Sequence, residues 1–298
     1  MPVKVHSNST VYDSTSGNTG ASEAYMCSLI GLPYIAVVDV SLRNYHAQEE
    51  AKKNRGFFIN QFGNAAESEE MHESGDFASE STNMYHEIVS ELKKDNTQKK
   101  KYPDYFVHSS GTGGTITSVG RYTKRYNLPT KIVLADSEYS LFYDYVLSNM
   151  FSNAPGTEYW VKPGIAGIGY GYNVKPVIYG ETTSLQRNVI DEVAKMPDIA
   201  STAAMHLLRE RGIDGGASTG LNFLVSLYKA YQEKDNTSIN GRLTIVTVIC
   251  DPGEFYNSTY FNATWIEEVF TKRGGMKGLS CWKKVGLQPF LNAKNCIS

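Results

Sequence analysis

The sequence predicts an α/β protein built on mostly parallel sheets with helices on both faces. Two observations carry that prediction. Short apolar runs alternate with amphipathic stretches along most of the chain, and three Gly/Ser/Thr-rich loops open helical stretches. The composition sets the class. The 298 residues are 41% hydrophobic and 20% charged, with 26 Gly and 10 Pro, which excludes disordered and fibrous chains.

Taken in order, residues 21–30 read as a helix and 33–38 as a buried strand. Residues 57–59 form a short apolar run. Met84, Ile88, Val89 and Leu92 sit at helical spacing within 78–94. Residues 105–107 read as a strand, 115–126 as a helix and 131–135 as a strand. Residues 200–211 and 221–232 read as helices, and 243–249 as the strongest strand in the chain. Residues 1–275 are expected to form one enzyme domain. The remaining 276–298, weakly periodic, are expected to be a peripheral tail.

Charge and cysteine usage narrow the function classes. With 29 basic against 31 acidic residues, the net charge is −2, which excludes a broad nucleic-acid surface. The run Lys99-Lys100-Lys101 reads as a solvated loop. No apolar stretch approaches the roughly 20 residues that span a bilayer, and the first residues have no signal-peptide core. The four cysteines form no C-x-x-C pair, so neither zinc nor a redox dithiol is expected. Free thiols and a cytoplasmic location are the expectation.

The chemistry is carried by the three loops: Thr15-Ser16-Gly17-Asn18-Thr19-Gly20, Ser110-Gly111-Thr112-Gly113-Gly114-Thr115, and Gly215-Gly216-Ala217-Ser218-Thr219-Gly220. Glycines admit a ligand close to the backbone, hydroxyls add donors, and a helix start presents free N–H groups to an anion. A single such loop reads as an ordinary strand-to-helix turn. Three together point to an anionic cofactor. No P-loop occurs, and the dinucleotide fingerprint fails at Ile116. Gly216-Ala217-Ser218-Thr219-Gly220 matches the hydrolase nucleophile elbow, yet all six histidines lie upstream of Ser218, against the chain order of that fold.

Together the loops resemble those of fold-type-II pyridoxal-phosphate (PLP) enzymes, which share a tryptophan synthase β-like fold. The match is to the cysteine synthase and cystathionine β-synthase family, over about residues 14–264. Ser16 to Gly20 is similar to the asparagine loop, and Ser110 to Thr117 to the phosphate cradle. Asn60-Gln61-Phe62 is similar to the Gln-aromatic element, and Gly167-Ile168-Gly169-Tyr170 to the G-I-G loop. Gly216 to Gly220 is similar to a loop whose serine can meet the pyridine nitrogen. Ser140-Leu141-Phe142-Tyr143-Asp144-Tyr145 resembles a cysteine desulfhydrase branch.

The resemblance implies that Asn18, Gly111, Thr112, Gly113, Gly114, Thr115 and Ser218 bind the cofactor. Thr15, Ser16, Thr19, Gln61, Gly169 and Tyr170 would bind the amino acid. A family serine that can contact the ring nitrogen is replaced by Pro252, which leaves Ser218 for that role. A homodimer acting on cysteine, serine or O-acetylserine is implied, with no nucleic-acid or membrane partner.

Two departures accompany the match. The family's Schiff-base lysine, about thirty residues before the asparagine loop, has no counterpart: only Lys4 precedes Asn18, in an unrelated context. The smaller subdomain around 14–62 is shortened, as in a truncated sequence. No catalytic residue is therefore assigned. The expectation is a PLP-dependent β-elimination or β-replacement enzyme of cysteine and sulfide metabolism, impaired in this chain. The alternative is a non-catalytic protein that binds PLP, a metabolite or a partner protein. A serine hydrolase using Ser218 is a third, disfavoured reading.

Overall fold

The computed structural model describes residues 5–15, 18–37, 43–61, 64, 84–97, 99–150, 165, 167–170, 184–236, 241–285 and 296. Two parallel sheets organise them. The smaller has the order β2-β1-β3, from β1 (Val11–Ser14), β2 (Tyr34–Val37) and β3 (Phe57–Phe58). Helices α1 (Asn18–Leu29) and α2 (Arg43–Lys53) make its crossovers. Small side chains let α2 approach closely, with Ala47 and Ala51 fully buried. Register is fixed by Val11 opposite Tyr34 on one side and Phe57 on the other.

The larger sheet has the order β6-β5-β4-β7, from β4 (Tyr105–Ser109), β5 (Lys131–Ser137), β6 (Glu192–Met196) and β7 (Ile245–Val246). Every pairing in it is parallel. The two-residue alternation of a strand divides its core. Val107, Val133 and Ala135 face one cluster with α6 (Asp198–Arg209) and α7 (Ala217–Gln232). Phe106, Ile132 and Leu134 face the other, with α3 (Met84–Lys94) and α4 (Gly114–Arg125). The short α5 (Phe142–Ser148) follows β5, and α8 (Ala263–Val269) and α9 (Gly275–Val285) close the chain. No helix among the described residues is long and apolar enough to cross a membrane.

Several expectations are corrected. The 243–249 run pairs in the sheet only at Ile245–Val246. It lies at the sheet edge, and Ile249 is 59% exposed, so apolar content there does not produce a long ladder. β1 and β6 were not expected. The supposed tail begins as α9, whose Leu279 and Trp282 enter the core, so residues 275–285 are integral. Cys281 and Cys296 form a disulfide, leaving only Cys27 and Cys250 as free thiols. Lys100 of the basic run is paired with Asp104 and only 18% exposed, and so is not fully solvated. The predicted helical residues 78–83 lie outside the described part.

Candidate active site

The second glycine loop leads directly from β4 into α4. The Ser109 N–H is held by the Asn222 Oδ1 of α7 at 2.7 Å, which anchors the strand end. Gly113 caps α4 with φ 93° and ψ −3°, a left-handed conformation that suits glycine. Thr117 N–H donates to the Gly113 carbonyl at 3.0 Å. The N–H groups of a helix's first turn have no acceptor within the helix and face an anion favourably. Gly111 is exposed there, Thr112 and Thr115 half-buried, and Gly113 and Gly114 buried.

Close backbone packing explains these glycines. A Cβ on Gly113 would collide with the backbone of Leu185, and one on Gly111 with the Gly167 carbonyl. The Gly169 N–H donates to the Ser110 carbonyl at 2.7 Å, so the G-I-G segment lies along the cradle. Tyr170 follows it but is only 5% exposed. Its N–H bonds Ser140 Oγ at 3.1 Å and its ring stacks on Phe142.

The third loop opens α7. The Gly216 N–H bonds the Asp251 carbonyl at 2.9 Å, and Gly215 bridges to Pro252. Cys250, which precedes Asp251 in the chain, brings its sulfur beside β4. That sulfur lies 3.7 Å from His108 Nε2 of β4. Burial pushes the Cys250 thiol up and the His108 imidazolium down, so both stay neutral at neutral pH. Tyr256 donates its hydroxyl to Asp251 Oδ2 at 2.5 Å. Burial and that carboxylate push the Tyr256 phenol upward.

The first loop follows β1, but Ser16 and Gly17 lie outside the described residues. Thr15 is buried, whereas Asn18 and Thr19 at the start of α1 are exposed. Asp13 ties this loop to Gln61: its Oδ1 accepts the N–H groups of Asn60 at 3.0 Å and Gln61 at 3.5 Å. Gln61 is buried and donates its Nε2 to the Ser14 carbonyl at 3.0 Å. Burial and then Glu23 raise Asp13 to about 7. Glu23 accepts the Tyr34 hydroxyl at 2.6 Å.

Each loop also carries one buried hydroxyl without a hydrogen-bond partner among the described residues: Thr15 Oγ1, Ser110 Oγ and Thr219 Oγ1. An unsatisfied buried hydroxyl costs ~1–3 kcal/mol, a cost that a polar ligand reaching these loops would relieve. The site residues form two groups. Thr15, Asn18, Thr19 and Gln61 gather at the small sheet. Gly111–Thr115, Gly169, Tyr170 and Ser218 gather at the large one.

Comparison with known proteins shows which family the chain belongs to. The family model for pyridoxal-phosphate dependent enzymes matches residues 40–251, which include the second and third loops. The chain belongs to that family. A Caenorhabditis elegans protein, provisionally named as pyridoxal-phosphate dependent, is 60% identical over 93% of this chain and 69% of its own length. An L-cysteine desulfhydrase of Mycobacterium tuberculosis is 29% identical, over 88% of this chain and 71% of its own. A solved hydrogen sulfide-producing enzyme from Fusobacterium nucleatum superposes with TM-score 0.63 at 22% identity, over 87% of this chain and 75% of that one. The fold is thus that of the fold-type-II PLP enzymes.

The family's cofactor is PLP, and the residues present fit it. The cradle offers first-turn N–H groups to a phosphate, and three orphaned hydroxyls await polar partners. Sequence reasoning singled out all three loops but not Asp13, His108, Cys250 and Asp251, which the structure places beside them. Their contacts cross 47 residues for Asp13 with Asn60 and 142 for Cys250 with His108, and no local motif signals them.

Proposed function

We propose that this PLP-family chain acts on cysteine-like amino acids by β-elimination or β-replacement, in sulfide and cysteine metabolism. The observation that carries the reading is the one orphaned buried hydroxyl in each of the three glycine loops. Bound PLP supplies an electron sink for the amino acid's α-carbon. The first-turn N–H groups of α4 and the hydroxyls of Thr112 and Thr115 hold its phosphate. Asn18 donates to the ring oxygen. Ser218 offers its hydroxyl proton to the ring nitrogen, which stays largely unprotonated because a hydroxyl is a weaker acid partner than a carboxylic acid. Thr15, Ser16, Thr19, Gln61, Gly169 and Tyr170 orient the amino acid. The desulfhydrase name of one relative and the hydrogen sulfide-producing title of a structural neighbour support sulfide as the leaving group. A homodimer in the cytoplasm belongs to the same reading.

A second reading, a non-catalytic PLP or metabolite binder, is favoured by where the lysines sit. Lys52 and Lys53 pair with Glu49 and Glu50 on an exposed face. Lys195 bonds the Ser140 carbonyl and pairs with Asp144. Lys229 is buried between Glu192 and Glu233. None of these engagements places an amine on the glycine loops. The third reading, a serine hydrolase, lacks support, because all six histidines precede Ser218 in the chain, against the order of the elbow fold.

Sulfide release from L-cysteine by this 298-residue chain, with and without PLP, tests the proposal. The expected result is slow, PLP-dependent release above that of PLP alone. Release no faster than with free PLP selects the binding reading. Fast turnover with a lysine-linked cofactor, trapped by borohydride, overturns the assignment of no catalytic lysine.

A further inference from the structure

The turn that follows β5 holds the two backbone stretches against which the cradle glycines pack. A Cβ on Gly111 would collide with the Gly167 carbonyl, and one on Gly113 with the Leu185 backbone. Both stretches are tied to residues 140–145. The Tyr170 N–H donates to Ser140 Oγ at 3.1 Å, and the Leu141 N–H donates to the Tyr170 carbonyl at 2.7 Å. The Tyr170 ring stacks on Phe142, with centroids 6.1 Å apart. On the other side, the Tyr145 hydroxyl donates to the Leu185 carbonyl at 3.4 Å.

Ser140 is the knot of this arrangement, and it is buried. A serine oxygen has two acceptor lone pairs, and both are engaged. One receives the Phe142 N–H at 3.1 Å, within the same turn. The other receives the Tyr170 N–H, from 30 residues further along the chain. A serine that served only its own turn would need the first bond alone. The second reaches the segment whose Gly169 N–H donates to the Ser110 carbonyl of the cradle at 2.7 Å. Hydrogen bonds on adjacent residues, Tyr170 and Gly169, therefore connect Ser140 to the start of the phosphate loop.

Ser140 is itself held from the sheet. Lys195 of β6 donates its Nζ to the Ser140 carbonyl at 2.7 Å and lies 3.8 Å from Asp144 Oδ2. Asp136 of β5 accepts the Tyr143 N–H on its Oδ2 at 2.8 Å. Asp136 and Lys195 are register partners on neighbouring strands, so both clamps act from one rung of the sheet.

We propose that Ser140 is a positioning residue of the cofactor site: it sets the Gly167–Tyr170 segment against the phosphate cradle, and Lys195 sets Ser140. This rests on the cofactor reading above and adds to it a residue that acts through the backbone without touching the cofactor.

The test is the affinity of pyridoxine 5′-phosphate, measured by equilibrium dialysis on the intact 298-residue chain. This probe lacks the aldehyde that reacts with lysines. Wild type is compared with Ser140→Ala, Ser140→Thr and Thr130→Val. Thr130 is the control: it too is buried, and its hydroxyl bonds the Pro103 carbonyl at 2.5 Å, at the opposite end of β5. Ser140→Ala should weaken binding about tenfold, the equivalent of one hydrogen bond. Ser140→Thr keeps the acceptor oxygen and should return affinity to within about threefold of wild type. Thr130→Val should bind as wild type does. Wild-type affinity in Ser140→Ala overturns the proposal and leaves the cofactor site standing. An equal loss in Thr130→Val overturns it too, because the effect would be a general loosening. So does a folded Ser140→Thr that binds no better than Ser140→Ala. Should Ser140→Ala not fold, Lys195→Met removes the clamp from a side chain that is 21% exposed. It should weaken binding in the same direction, and wild-type affinity there overturns the proposal. Failure of the wild-type chain to bind the probe overturns the cofactor reading, and the proposal with it.

Discussion

Gly113→Ala separates two reasons for a glycine in the cradle. The first is conformation: φ is 93°, and a side chain in the left-handed region costs ~1–2 kcal/mol. The second is space: a Cβ there would collide with the Leu185 N and Cα atoms. Forcing that backbone aside is an overpacking cost of ~1–3 kcal/mol. The sum is ~2–5 kcal/mol. Gly212 supplies the control, with φ 82° and nothing within 4 Å of a built Cβ. Gly212→Ala should cost only the conformational ~1–2 kcal/mol. Urea unfolding of both variants, read with the wild type, gives the difference. Cradle geometry should shift as well, so Gly113→Ala should lose PLP affinity while Gly212→Ala keeps it. Equal destabilisation by the two substitutions, with PLP binding retained in both, would refute this account of the cradle.

Other outcomes follow from the buried charges and the disulfide. Asp13 rises from 3.8 to about 7, so the folded chain holds a proton that the unfolded chain releases. Its contribution to stability is therefore present at low pH and is lost as pH rises from about 4 through about 7. Asp136, at about 6, and Asp198, at about 8, act in the same direction, each raised chiefly by burial. Asp13→Asn should flatten the pH dependence of unfolding across that window by up to one proton while keeping the Oδ1 acceptor for Asn60; an unchanged slope would count against it. Reducing Cys281–Cys296, which are 15 residues apart, should lower stability by ~3 kcal/mol. Paired unfolding curves with and without reductant check it.

How far the sequence could be read depended on range. The three loops were legible because local composition announces them, and the central strands β4 and β5 because each carries a buried apolar run, 105–107 and 132–135. β1 was not, since Val11-Tyr12-Asp13-Ser14 is only four residues long and ends in two polar groups that are nonetheless fully buried. β6 was hidden by Glu192 and Lys195, which an edge strand tolerates. The 243–249 run misled in the opposite sense, being apolar but mostly outside the ladder. At the candidate site, Thr15, Asn18 and Gln61 were singled out through motifs, and the structure groups them around β1. The Cys250–His108 contact and the Asp13–Gln61 tie were not found, because each needs the fold to bring distant residues together.

The central claim is that the Gly111–Thr115 loop holds the cofactor's phosphate. Comparing the affinities of PLP and pyridoxal for the wild-type chain tests it most directly. Both carry the same aldehyde, so reaction with lysines cancels. Hydrogen bonds to a charged group contribute ~1.5–3 kcal/mol each, so two from the first turn of α4 already predict PLP binding at least ~100-fold tighter. That preference should disappear in Gly113→Ala. Equal affinity of the wild-type chain for the two compounds would contradict the assignment.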